Sequence, residues 1–132
     1  MATVTQTLRE YYAASNKDDL PGMVSHYHEP VTFIGARGVT VFTTRMEATP
    51  FLAEFFARLR ALGAVRTEWS ESHIKELSDT LAVADIGLVR FAADGREVER
   101  LAFAYLLHKT AAGWKIAVLA SHPPETMLRV DG

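Results

Sequence analysis

The sequence predicts an α+β domain in which helices pack on one face of a curved antiparallel sheet. Three observations carry this. Apolar residues recur at helical spacing in residues 3–16 and again in residues 50–62. Between them, Val31-Thr32-Phe33-Ile34 and Val39-Thr40-Val41-Phe42 flank the turn Gly35-Ala36-Arg37-Gly38, a hairpin signature. Beyond residue 64, long runs rich in Val, Ile, Leu and aromatic residues are separated only by short turns, the pattern of an antiparallel meander.

The elements follow in order. Val4, Leu8, Tyr11, Tyr12 and Ser15 fall at helical spacing in a first helix, Thr3 to Asn16, with Thr3 or Thr5 as its cap. Asn16-Lys17-Asp18-Asp19 breaks it, and Asp18 or Asp19 caps a second short helix with Pro21 in its first turn. Leu20, Val24 and Tyr27 make the apolar side of that helix, and Pro30 stops it. After the hairpin, Thr44-Arg45-Met46-Glu47 has capping-box spacing and Thr49-Pro50 repeats the start signal. A third helix then runs to about Leu62, with Phe51, Leu52, Phe55, Phe56, Leu59 and Leu62 on its apolar side and Gly63 past its end. The strands of the meander are Val65 to Leu77, Leu81 to Phe91, Val98 to Lys109 and Trp114 to Ser121.

A chain of 132 residues with 48% hydrophobic residues suits one domain, residues 1–132, and excludes a disordered chain. Zero cysteines exclude a disulfide scaffold, thiolate metal sites and a cysteine nucleophile. A formal net charge of -2 argues against a nucleic-acid partner. No apolar run approaches the roughly 20 residues that span a bilayer, and Met1 to Glu10 lacks the pattern of a signal peptide. The expectation is a cytoplasmic protein with no membrane partner. The strand Leu81–Phe91 is apolar at odd and even positions alike, so both of its faces should be covered: one by the helices, the other by a second copy in a homodimer.

Two stretches resemble a known family. Leu8-Arg9-Glu10-Tyr11-Tyr12-Ala13-Ala14-Ser15-Asn16-Lys17-Asp18-Asp19-Leu20 is similar to the opening helix and Asn-x-x-Asp-Leu step of the nuclear transport factor 2-like superfamily, also called SnoaL-like or ketosteroid isomerase-like. Gly113-Trp114-Lys115-Ile116 resembles its Gly-Trp-x-Ile start of the last strand. The resemblance implies a cone-shaped, cystatin-like fold with a mostly apolar pocket between helices and sheet. It leaves function open, because members range from isomerases, cyclases, dehydratases and hydrolases to domains without catalysis. The isomerases use an Asp base with a Tyr and a protonated Asp as donors. Tyr11 matches the helical Tyr. The base position falls near Gly35, beside Ile34 and Ala36, and the acid-donor position near Phe103 to Tyr105, none of them a carboxylate. Ketosteroid isomerisation is thereby excluded. The SnoaL-type cyclases use an inner-strand Asp, and Asp85 is the nearest match.

The candidate catalytic residues are Tyr11 as a phenol donor, Asp85 as an acid/base group and His122 as a base at a strand end. Adjacent Tyr11 and Tyr12 diverge by roughly 100° on a helix, so one should face the sheet and the other the rim. The candidate ligand-binding residues are Tyr12, Phe55, Trp69, Arg100 and Tyr105. Trp69, Glu71 and His73 share strand parity and could line a pocket or a subunit interface. In the strand after residue 97, either the set with Arg100, Ala102 and Ala104 faces the cone, or the set with Leu101, Phe103 and Tyr105 does. Arg100 could anchor an anion or pair with Glu97 or Glu99 at the surface. His26 and His28 are poorly spaced for a metal on a helix, and neither metal nor cofactor is expected. The reading is a domain that binds a small apolar or aromatic molecule, with metal-free acid/base chemistry of isomerase, cyclase or hydrolase type, or else a non-catalytic binding or dimerisation module.

Overall fold

The computed structural model describes residues 2–129. The elements are α1 (Val4–Asn16), α2 (Leu20–Val24), β1 (Tyr27–Gly35), β2 (Gly38–Phe42), α3 (Ala48–Ala61), β3 (Arg66–Glu76), β4 (Leu81–Phe91), β5 (Glu97–Thr110) and β6 (Gly113–His122). Short 3-10 turns cover Arg45–Glu47 and Pro124–Thr126. A mixed sheet of order β2-β1-β6-β5-β4-β3 carries the helices on one face. All pairings are antiparallel except β1 with β6, which are parallel. Among the described residues no helix is long and apolar enough to cross a membrane.

Local chemistry explains most boundaries. Thr3 and Gln6 form a reciprocal capping box on α1. Asp19, not Asp18, caps α2, accepting from the Gly22 N–H, while Asp18 takes the left-handed conformation that links the helices. Gly63, at φ 86°, lies just past α3, as its sequence position requires. Thr44 and Glu47 make no side-chain capping bond, so the capping-box spacing there is not used.

Two expectations need correction. Helix α2 ends at Val24, and Tyr27 opens β1 instead of completing a helical face. Pairing with β6 decides this: the Ile116 N–H donates to His26 O, and Tyr27 sits opposite Ile116. Pro30 lies inside β1, at the register shift between Tyr27 and Thr32 and before the pairing with β2 begins at Val31. A residue without an N–H is tolerated where no ladder bond is asked of it.

The second correction concerns β3. Trp69 faces Leu88 and Glu71 faces Gly87, so Ser70 is an extra residue in a bulge. The bulge reverses parity. Trp69 turns toward the helices, while Glu71 and His73 turn to the outer face, and the three no longer share a side.

The core lies between helices and sheet. Leu8, Tyr11, Tyr12, Val24, Leu52 and Phe56 meet Tyr27, Ile86, Leu88, Tyr105, Leu107 and Ile116 there. On the outer face, register places Val41, Thr32, Val118, Leu106 and Val83 in one row across the strands. The next row holds Val39, Ile34, Ala120, Ala104, Asp85 and His73.

Candidate functional site

Between the helices and the sheet lies a cavity of about 520 Å³. Its walls come from elements whose sequence patterns were legible. Tyr11 and Tyr12 project from α1, Phe51, Leu52 and Phe55 from α3, and Phe33, Phe103, Tyr105 and Leu119 from the inner face of the sheet. Phe33 and Phe51 lie with ring centres 4.9 Å apart, and Phe103 and Tyr105 at 6.2 Å. Residues 34–40 of the hairpin, with Glu54 and Arg58 of α3, edge the cavity.

All four tyrosines of the chain are buried at or beside this space. They form two hydrogen-bonded pairs across long sequence separations. Tyr11 OH meets Tyr27 OH at 2.6 Å, and Tyr12 OH meets Tyr105 OH. Both Tyr11 and Tyr12 are buried, with rings edge-on at 5.4 Å, so neither is left at an exposed rim. Burial pushes the Tyr11 phenol up to about 12, opposed by the Tyr27 hydrogen bond and the Arg90 charge. Burial likewise raises Tyr12, and raises Tyr27 and Tyr105 well above the ordinary phenol range. These groups therefore stay protonated at neutral pH and serve as neutral hydrogen-bond donors. In each pair one hydroxyl donates to the other, whose own proton remains for a third oxygen.

The other sequence candidates are placed elsewhere. Register puts Tyr105, Phe103 and Leu101 on the inner face of β5, so the small-residue set containing Arg100 faces out. Exposed Arg100 donates from Nε and Nη2 to Glu97 at 2.8 and 2.9 Å. Trp69 packs outside the cavity wall, edge-on to Tyr12 at 5.9 Å and beneath the Arg9 guanidinium at 3.6 Å. Asp85 and His122 lie together on the outer face. His122 Nε2 is 2.8 Å from Asp85 Oδ1, and its Nδ1 is 3.1 Å from Thr126 Oγ1. The Leu128 N–H donates to Asp85 Oδ2 at 2.8 Å. Asp85 is only 1% exposed because residues 123–129 run over it. Gly87 permits that approach: a Cβ there would stand 2.8 Å from Ser70 Oγ and 3.1 Å from Met127 Sδ. The sheet thus separates Asp85, His122 and Arg100 from the cavity, and none of them can act on a molecule inside it.

His26 and His28 also diverge. His26 lies edge-on to Tyr11, with burial lowering its pKa, while His28 meets His108 at 3.1 Å on the exposed sheet surface. Among the described residues no cluster of three or more His, Cys, Asp or Glu could hold a metal ion.

Sequence reasoning missed Arg90. It sits on the inner face of β4, 3% exposed, at the cavity wall. Its register neighbours on both sides hold it: Nε donates to Glu99 Oε1 at 2.7 Å and Nη1 to Thr67 Oγ1 at 3.0 Å. The signal was present as an arginine on the parity of Ile86 and Leu88 in an otherwise apolar strand.

A curved sheet closed over N-terminal helices, with an aromatic cavity between, defines an NTF2-like, cystatin-like domain. The chain belongs to the family described as NTF2-like protein (DUF6841), whose model matches residues 2–124. Solved structures agree. A domain of unknown function with a cystatin-like fold from Nostoc punctiforme PCC 73102 is 21% identical, at a TM-score of 0.74 over 95% of this chain and 81% of that one. An NTF-2-like protein of unknown function from Shewanella oneidensis MR-1 is 20% identical, at 0.70 over 89% and 94%. Aln2 from a Streptomyces species is 16% identical, at 0.73 over 92% and 89%. No curated protein matches the chain.

Proposed function

We propose that the protein binds a small, largely apolar, ring-bearing molecule in this cavity, and that it works as a binding module. The observation that carries the reading is the cavity of about 520 Å³ between facing aromatic walls, with protonated tyrosines among them. Aromatic walls offer large apolar area with few rotamers to freeze, and a few hydroxyls suffice to orient a ring with an attached oxygen. An acid/base enzyme would need a group that exchanges protons near neutrality. Among the described residues the lining holds no histidine, and its one carboxylate is the exposed Glu54. Native mass spectrometry of freshly purified protein, with titration by neutral 2-acetylnaphthalene, tests the reading. A co-purified small molecule, or saturable one-to-one binding of the probe, is expected. Absence of both would contradict it.

We also propose a homodimer through the outer sheet face. Leu81, Leu106, Ile34, Val39 and Val41 on that face are exposed and continuous with half-buried Val83, Val118 and Ala120. The cysteine-free composition suits a reducing compartment, and we place the protein in the cytoplasm; fractionation of cells carrying a tagged chain checks this.

A further inference from the structure

Arg90 has more hydrogen-bonding capacity than the fold uses. A guanidinium carries five N–H donors. One goes to Glu99 and one to Thr67, both from neighbouring strands, and Nη2 has no partner among the described residues. The only fully enclosed side-chain polar atom without a partner among those residues is Trp69 Nε1. Arg90 Nη2 therefore keeps accessible surface, and the void that Arg90 lines is the cavity. The Phe55 ring, also at the cavity wall, lies 5.3 Å from the guanidinium carbon.

The charge around the cavity has one sign in excess. Among the described residues its ionisable lining, apart from the tyrosines, is Arg37, Arg58 and Arg90 against Glu54. Glu99, not part of the lining, takes the Nε N–H and Thr67 takes one of the two Nη1 N–H groups, so the second Nη1 N–H and both on Nη2 are what the Nη1–Nη2 fork has left for a ligand. A planar, two-oxygen anion matches that fork better than a single oxygen does. Burying such an anion in an apolar space needs a fixed counter-charge, and Arg90 is one already held in place.

We propose that the molecule bound in the cavity is a carboxylate, its ring against the aromatic wall and its carboxylate on the Nη1–Nη2 fork of Arg90. This rests on the cavity being a binding site and adds the ligand's chemical class. Phe33, Phe103 and Tyr105 of the sheet and Phe51 of α3 supply the ring contacts.

The test compares 2-naphthoate with its neutral near-isostere 2-acetylnaphthalene by calorimetric titration. Wild-type protein should bind the carboxylate at least tenfold more tightly, and Arg90→Gln should lose that preference while still binding the neutral compound. Equal binding of the two by wild type would overturn the proposal and leave the apolar cavity reading standing. Binding of neither would overturn both. A preference that survives in Arg90→Gln would remove Arg90 from the role. Should Arg90→Gln fail to fold, Glu99→Gln decides. Losing the competing carboxylate should widen the preference severalfold, and an unchanged or narrower preference would overturn the proposal.

Discussion

The Tyr12–Tyr105 hydrogen bond joins the first helix to the fifth strand within the core. Removing one hydroxyl leaves the other buried, so Tyr105→Phe should cost about 1–3 kcal/mol in denaturant unfolding. Adding Tyr12→Phe should cost less than the sum of the single changes, and strict additivity would show that the pair is not coupled. The raised phenol pKa values carry a second expectation. Between pH 10 and about 12 the unfolded chain gives up tyrosine protons that the folded chain keeps. The unfolded state then binds fewer protons, so stability is whole below pH 10 and falls as pH rises through that window. Absorbance at 295 nm should show phenolate appearing together with loss of circular dichroism. Free titration near pH 10 with the fold intact would contradict this. Helical period made Phe55 legible as a core-facing group, and it made one of Tyr11 and Tyr12 so; that both tyrosines are buried, and that Tyr105 faces inward, depended on sheet curvature and register. Arg90 was not legible as a lining group, because its role depends on Thr67 and Glu99, which only sheet pairing brings beside it.

At the scale of the element, strand parity governs what could be read. The turns of the meander and the hairpin and the starts of α1 and α2 follow from local turn and capping chemistry; the meander strands stand within a residue or two of their expected bounds, whereas α3 starts without a side-chain cap and β1 starts early, at Tyr27. Parity in β3 is broken by the bulge at Ser70, which sets Trp69 and His73 on opposite sides without any change in composition. Tertiary pairing with β6 likewise ends α2 early and admits Pro30 into a strand. In β4 the two-sided apolar pattern has a partly local cause: residues 123–129 cover its outer face around Asp85 and Gly87. Asp85→Ala removes the acceptor for both His122 and the Leu128 N–H, and should cost about 2 kcal/mol or more. Hydrogen exchange should report it first at Leu128, with the inner strands unchanged. Equal protection in the variant would show that Asp85 does not hold this segment.

For the whole molecule, the sheet divides two surfaces with different tasks. Its inner face encloses the cavity, and its outer face carries the apolar rows that we assign to dimer contact. Sedimentation equilibrium at micromolar concentration should give twice the chain mass of 14.6 kDa, with at least roughly 1,200 Å² buried in total. Val41→Lys with Leu106→Lys should shift it toward monomer, and a wild-type monomer would dismiss the interface. Cone and cavity were legible from element order and resemblance. The side of the sheet reached by Asp85, His122 and Arg100 was not, since each could sit on either face until register was known. The central claim is that a small apolar molecule occupies the cavity. Ser121 lies exposed at its edge, so Ser121→Trp should block entry without disturbing the core. Titration of both proteins with 2-acetylnaphthalene is the most direct measurement. Saturable one-to-one binding by wild type, weakened at least tenfold in Ser121→Trp, is the expected result; equal affinity in the two proteins, or no saturable binding by wild type, would contradict it.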